Sequence, residues 1–310
     1  MKKKIVAATA AAVLALSLAA CSTPADNGGG SDKGLTIGLI TKFPVDFYDT
    51  MVDAAKQWDA DNDGATVVFA QGKSGTDDEG EIAAIQSFVT QGVDAIAITP
   101  TSPNVASELQ KAVDAGIPVI LIDNDIPDWA GKSAVVGTDN FAGGQAAGTW
   151  LKENLPAGAK LAVLQGVLGN PTLDSRVTGM LDTLGDAATV VATTPTDCDQ
   201  TKGLNAAQDI LTANPELDAI YSACGPPLIG ALEAIKSAGR TLITVGFDAS
   251  PDEVASIAAG VETASVAQFP AKMGSLGVQA AFDVASGKTV EANIDTGTAL
   301  VTKDNVADFQ

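Results

Sequence analysis

The sequence predicts an α/β protein built as two doubly wound parallel-sheet lobes joined by a multi-strand hinge. Three observations carry this. Short, β-branched apolar runs alternate with stretches of helical periodicity. The alternation pauses at "VVGTDNFAGGQAAG" and restarts at "AKLAVLQG". The about 275 residues that follow the N-terminal segment exceed what one hydrophobic core commonly organises.

Taken in order, the chain opens "MKKKIVAATAAAVLALSLAAC", with three lysines before an apolar, alanine-rich run from Ile5 to Ala20. That is short for a membrane-spanning helix and reads as an export signal over 1–20. Its end, "LAAC", resembles the bacterial lipobox, in which the cysteine thiol receives a diacylglycerol and becomes the new N-terminus. Cys21 is the lipidation site on this reading, and the protein is anchored by lipid to the cell membrane, facing the extracytoplasmic side. An ordinary secretory cleavage site beside a cysteine is the alternative. Residues 21–33, "CSTPADNGGGSDK", are polar and glycine-rich, so they read as a flexible tether.

The predicted strands are "LTIGLI", "ATVVFA", "DAIAIT" and "IPVILI", then "KLAVLQ", "ATVVATT", "LDAIYS" and "TLITVG". Their near-continuous apolar character predicts strands buried on both faces. Between them Phe47, Met51, Ala54 and Trp58, then Ile82, Ile85 and Val89, then Val105, Leu109 and Ala112 recur at helical spacing. Strand–helix alternation demands parallel pairing with crossover connections. The expected lobes are 34–137 plus 269–297 and 138–268 plus 298–310, hinged near Thr138–Asn140, with a crevice where the strand-to-helix loops converge.

Charge narrows the function. The chain has 18 basic and 38 acidic residues, and a nucleic-acid partner needs the opposite balance. It has no histidine, which removes the usual general base and every Ser-His or Cys-His pair. "DADNDG" at 59–64 fits the first half of a calcium loop, but the closing glutamate position is Ala70. "QGKSG" lacks the first glycine of a phosphate loop, since Val67 stands there. No catalytic residue, metal or cofactor is expected.

Three features point to a binding site. Asp123, Asn124 and Asp125 directly follow an apolar run, as does Asp248, where carboxylates and amides can bind hydroxyl groups or simply cap the next helix. "FPVDFYDTM" places Phe43, Phe47 and Tyr48 after the first run in a chain with only 5% aromatics, so a carbohydrate-facing role competes with a core role. Phe47 and Tyr48 are assigned to the crevice, Met51 and Trp58 to the core.

These segments, with "QGVDAIAITPT", "AGIPVILID", "VGFDASPDE" and "VAQFPAKMGSLGVQAAFDVASGK", resemble type I periplasmic sugar-binding proteins of the ribose-binding kind, the solute receptors of ABC importers, from Leu35 to the end. The resemblance implies a monomeric receptor whose lobes close around one small solute and then dock on membrane permease subunits. It implies ligand contacts from Phe47, Tyr48, Asp123, Asn124, Asp174, Cys198, Cys224, Asp248 and Gln268. Ribose-type receptors generally carry arginine where this chain has Asn124 and Asp174, an aromatic at Cys198, and Asn-Asp at Cys224–Gly225. Arg176 is retained, without a necessary ligand contact. Few cations and several carboxylates favour a neutral ligand, either a pentose or hexose or a sugar alcohol such as xylitol, threitol or erythritol. A sensory or chemotaxis receptor for a sugar-like signal remains the alternative to import.

"YSACGPPLIG" then falls at the end of a second-lobe strand, with Pro226 and Pro227 in a helix's first turn and Leu228, Ala231, Leu232 and Ile235 on its core face. With Cys21 committed to lipid, Cys198 and Cys224 remain at ligand-loop positions of one lobe, and a disulfide between them is expected. Two small buried thiols are the alternative.

Overall fold

The computed structural model describes residues 34–310. The export signal, Cys21 and the tether lie outside the described residues. The first half runs β1 (Leu35–Thr41), α1 (Asp46–Asp61), β2 (Ala65–Gln71), α2 (Asp78–Gln91), β3 (Ala95–Ile98), α3 (Ala106–Asp114), β4 (Val119–Ile122) and β5 (Ala134–Gly137). The second runs α4 (Asn140–Asn154), β6 (Ala159–Gln165), α5 (Pro171–Leu184), β7 (Ala188–Pro195), α6 (Gln200–Ala213), β8 (Ala219–Ser222), α7 (Gly225–Ser237), β9 (Ile243–Asp248), α8 (Pro251–Ala259) and β10 (Ala264–Ala267). It closes with α9 (Pro270–Ala285), β11 (Asn293–Asp295) and β12 (Ala299–Thr302).

Two six-stranded sheets result, in the orders β11-β5-β4-β3-β1-β2 and β12-β10-β9-β8-β6-β7. The first is parallel throughout. The second is parallel except for β12, which pairs antiparallel with β10 at the edge. The chain passes between the sheets three times, after β5, after β10 and between β11 and β12. Such order reversals place the loops at the carboxyl ends of the strands on a shared crevice.

Apolar clusters fill both faces of each sheet. Met51, Trp58, Ile120 and Met273 lie on one face of the first sheet, and Ile85, Phe88, Leu109 and Leu121 on the other. Leu161, Met180 and Phe247 against Ala207, Leu228 and Ile235 do the same for the second. The expectation of strands buried on both faces holds for β3, β4 and β8 and fails for β2 and β7. Those two are last in their sheets, so part of each face lies beyond the flanking helices, and Phe69 is left 43% and Val190 37% exposed. In α1 the buried alanine is Ala55, not Ala54, because Tyr48, Met51, Val52 and Trp58 set the inward stripe.

The glycines of "AGGQAAG" let α4 lie directly on α5. A Cβ on Gly144 would run into the Arg176 carbonyl, and one on Gly179 into that of Phe141. This close approach fixes the helix that carries Arg176.

Candidate functional site

Loops at the carboxyl ends of β1, β4, β9 and β10, with the starts of α1, α5 and α7, enclose a cavity of about 150 Å³. A cavity of that size holds one molecule of six-membered-ring dimensions. The lobes meet across it. Asn170, at the start of α5, donates from Nδ2 to Asn124 Oδ1 at 2.8 Å and to the Thr101 carbonyl at 3.5 Å. Thr172 Oγ1 accepts from the Asp125 backbone at 3.0 Å.

Asp123 sits in the left-handed region at φ 64°, a conformation aspartate tolerates better than most residues. Its backbone N–H donates to the Val136 carbonyl at 2.8 Å. That turn aims the carboxylate into the cavity. Oδ2 accepts from Asn124 Nδ2 at 2.7 Å and from the Tyr48 hydroxyl at 3.3 Å, while Oδ1 is buried without a hydrogen-bond partner, 3.9 Å from Arg176 Nη2. Burial, with the Asp123 charge beside it, holds the Tyr48 phenol well above its ordinary value, so it is a hydrogen-bond donor at neutral pH.

Across the cavity Asp248 lies at φ 107° and Ala249 at φ 47°, a costly backbone of the kind found where a side chain must be held in one direction. Asp248 Oδ2 accepts from the Gly225 backbone at 3.1 Å, and Oδ1 accepts from Gln268 Nε2 at 2.6 Å and Arg176 Nη1 at 3.4 Å. Burial pushes this carboxyl above its ordinary value, and the Arg176 charge opposes that. Gln268 Oε1 is left buried and unpartnered.

Arg176, 3% exposed, ties the group together. It donates from Nε to Asn140 Oδ1 at 2.7 Å and from Nη1 to the Ala223 carbonyl at 2.9 Å, and its guanidinium lies 4.0 Å over the Phe247 ring. Such a planar fork suits a buried ion pair better than a lysine does. Lys42, immediately after β1, is buried at the other end and donates to Asn124 Oδ1. Burial lowers its ammonium's pKa, with Asp123 and Glu81 pulling it back up.

Of the nine ligand positions read from the sequence, Phe47, Tyr48, Asp123, Asn124, Cys198, Cys224, Asp248 and Gln268 line the cavity. Asp174 does not. Its Oδ1 accepts from Gln165 Nε2 at 2.9 Å. Arg176, two residues further along the same helix, for which no ligand contact was required, lines the cavity. The few cations in the lining are Lys42 and Arg176, which face Asp123 and Asp248. With Asp46, Asp197 and Asp252 also in the lining, carboxylates outnumber these two cations. The signal for Lys42 in the sequence is a lysine directly after an apolar run.

Cys198 and Cys224 are joined as a disulfide, with Cα atoms 5.5 Å apart, inside the usual range for such a bond. It ties the loop after β7 to the start of α7. Pro226 and Pro227 lie in that helix's first turn, and the one N–H they leave, from Gly225, is taken by Asp248. No group of three or more metal-ligating side chains occurs among the described residues.

Comparison with known proteins gives the same picture. A family model described as a periplasmic binding protein domain matches residues 37–289. The chain is 31% identical over 276 residues to the ribose import binding protein of Bacillus subtilis, covering 88% of this chain and 89% of the relative. It is 31% identical over 307 residues to the ribose import binding protein of Haemophilus influenzae, covering 97% and 100%. A carbohydrate transporter solute-binding protein from Agrobacterium radiobacter, solved with D-arabinose, superposes with a TM-score of 0.84 at 28% identity, over 89% of this chain and 97% of that one.

Proposed function

We propose that this chain, which belongs to the periplasmic binding protein domain family, is the extracytoplasmic receptor of an ABC importer, capturing a small neutral sugar or sugar alcohol by lobe closure and delivering it to the permease. One observation carries the reading. Two buried, unpartnered acceptors, Asp123 Oδ1 and Gln268 Oε1, follow strands of different sheets and face one ring-sized cavity. Unpaired buried acceptors are costly, and hydroxyl groups of a solute would satisfy them only with the lobes together. The excess of carboxylates in the lining, with Arg176 already facing Asp123 and Asp248, favours a neutral ligand over a phosphate or carboxylate.

In this reading the lobes are 34–137 plus 269–297 and 138–268 plus 298–310, Cys21 carries the lipid, and the nine residues first named act as ligand contacts without Asp174 and with Lys42 and Arg176 added. The protein binds its solute and does no chemistry on it. The relatives named for ribose and for allose support sugar capture. A thermal-shift panel of neutral pentoses, hexoses and sugar alcohols tests it, since a ligand that binds only the native state raises the melting temperature. A rise with at least one of them is expected. Silence across the panel with a response to an amino acid or nucleoside would sink the sugar reading.

A further inference from the structure

Behind the Asp248 turn two glutamates share one chamber. Glu253 is fully buried, Glu262 is 3% exposed, and neither is among the residues that line the cavity. The chamber exists because two positions lack a side chain. A Cβ on Gly225 would come within 2.4 Å of Glu253 Oε2, and one on Gly246 within 2.2 Å of Glu253 Oε1 and 2.8 Å of Glu262 Oε1. The two Oε1 atoms therefore lie within about 5 Å of each other, a range in which buried like charges repel strongly.

Glu253 is well supplied with donors. Its Oε2 takes the backbone N–H and hydroxyl of Ser250, and its Oε1 takes the hydroxyl of Ser265, which accepts from the Ala249 backbone. Directly or through Ser265, it thus holds the two N–H groups that follow Asp248, where the backbone is in the costly left-handed region. Glu262 has none, since both its oxygens are buried without a hydrogen-bond partner. Among the described residues no lysine or arginine forms an ion pair with either glutamate. The other charged group beside the pair is Asp248, itself held by Arg176. The start of α7 brings Gly225 and Leu228 to the chamber and β10 brings Ser265, while Val301 and Val306 of the C-terminal segment pack on α8, and all of these are uncharged. Glu233 and Lys236 of α7 and Asp252 of α8 are exposed, and Lys303 bonds the Ala258 carbonyl at the far end of α8.

We infer that Glu253 and Glu262 act as one acid pair that positions Asp248, and that the solute is held tightly only while this pair keeps a proton. The inference rests on the reading of the chain as a receptor whose solute is bound by Asp248. A protonated Glu262 can donate to Glu253 Oε1, which gives it a partner and keeps a second charge out of the chamber. Without the proton, two like charges with Asp248 as the next carboxylate push the pair apart and loosen the Ser250 and Ser265 contacts that aim Asp248. The two carboxyls titrate as a unit. Burial and the neighbouring carboxylates raise both, so the positioned form prevails at low pH and is lost as pH rises through about 8. By linkage, solute binding draws a proton onto the pair as strongly as the proton favours the solute.

Calorimetric titration of the full-length protein between about pH 6 and 9 tests this, using D-ribose, D-allose, D-arabinose, xylitol, erythritol and any further panel member that raises the melting temperature. For each one that binds, affinity falls by about threefold or more over the upper part of that range, and titration near pH 8 in buffers of different ionisation heat shows proton uptake. Glu262→Gln, whose amide donates to Glu253 at every pH, abolishes the proton uptake and flattens the fall, a readout that a change in packing alone does not move. A level affinity in the unaltered protein, or a fall and a proton uptake that persist in Glu262→Gln, overturns the inference and leaves the sugar receptor standing. Failure of every sugar and sugar alcohol at every pH overturns the receptor reading itself.

Discussion

In the first lobe Glu81, in the first turn of α2, accepts from the backbone and hydroxyl of Thr101 at 2.8 and 2.7 Å. In the second, Glu253, in the first turn of α8, accepts from the backbone and hydroxyl of Ser250 at 2.9 and 3.0 Å and from Ser265 Oγ at 2.9 Å. Ser265 in turn accepts from the Ala249 backbone at 3.1 Å. Each lobe thus braces the loop after one strand with a buried glutamate in a helix's first turn, Glu81 reaching forward to the loop after β3 and Glu253 back to the loop after β9. The braced loops do different work. The first presents the Thr101 carbonyl to Asn170 across the lobe seam, and the second presents Asp248 to the cavity. The same device supports closure on one side and recognition on the other.

The cations differ as well, and this sets the largest expected effect. Lys42 makes one side-chain hydrogen bond, to Asn124, whereas Arg176 bonds Asn140, the Ala223 carbonyl and Asp248 and lies on Phe247. Removing one partner of a buried ion pair costs about 3–5 kcal/mol because the other charge stays behind unpaired. Arg176→Met should lower unfolding stability by about that much, measured by denaturant titration, and abolish solute binding. Lys42→Met should cost clearly less, since Asp123 keeps its bonds from Tyr48 and Asn124. Equal losses from the two variants would mean that the lobes share the charge cluster evenly.

The next test separates the two braces by pH. Burial pushes the Glu81 carboxyl up to about 7. Burial, then the Asp248 charge, pushes Glu253 up to about 8, and burial with Glu253 beside it raises Glu262 well above the ordinary range. A carboxyl whose folded value is raised keeps a proton that the unfolded chain has lost. Its contribution to stability is therefore full below about 4.3, the unfolded value, and is lost as pH rises toward 7 or 8. One such group changes stability by at most about 1.4 kcal/mol per pH unit. Chemical denaturation between pH 5 and 8 should show stability falling with pH. Glu253→Gln should flatten that slope more than Glu81→Gln, because it also removes the neighbour that raises Glu262. A slope unchanged in Glu253→Gln would show that the second lobe's brace is not protonated.

Much of this was legible in the residues. Alternating apolar runs and helical stripes gave the two sheets, because buried parallel strands and amphipathic helices leave different periods in the chain. The edge positions of β2 and β7 were not legible, since "ATVVFA" and "ATVVATT" are as apolar as the central runs and strand order is a long-range property. Asp123, Asp248 and Gln268 were readable from their place after strands or by family likeness. Asp174 was not readable in this way, because likeness transfers a position and not the partner, here Gln165, that its side chain takes. The burial of Arg176 and Lys42 is not legible in the residues, because it depends on partners far away in the chain. The glutamate braces are not legible either, since a glutamate in a first helical turn is ordinarily a surface cap.

The smallest effect concerns the seam itself. Asn170 has two roles: Oδ1 accepts from the backbones of Thr172 and Leu173 at 3.1 and 3.2 Å to cap α5, and Nδ2 reaches Asn124 and Thr101 in the other lobe. Asn170→Ser keeps a capping oxygen but is too short to bridge the lobes. If the seam bond forms only on closure, the unliganded melting temperature stays within about a degree or two, while solute affinity falls by the worth of one hydrogen bond, about 1 kcal/mol or about fivefold. Calorimetry on the variant measures the affinity and a thermal scan the stability. A loss of stability equal to the loss of affinity would show that the lobes are already latched without solute, making the first lobe's brace part of the resting structure rather than of closure.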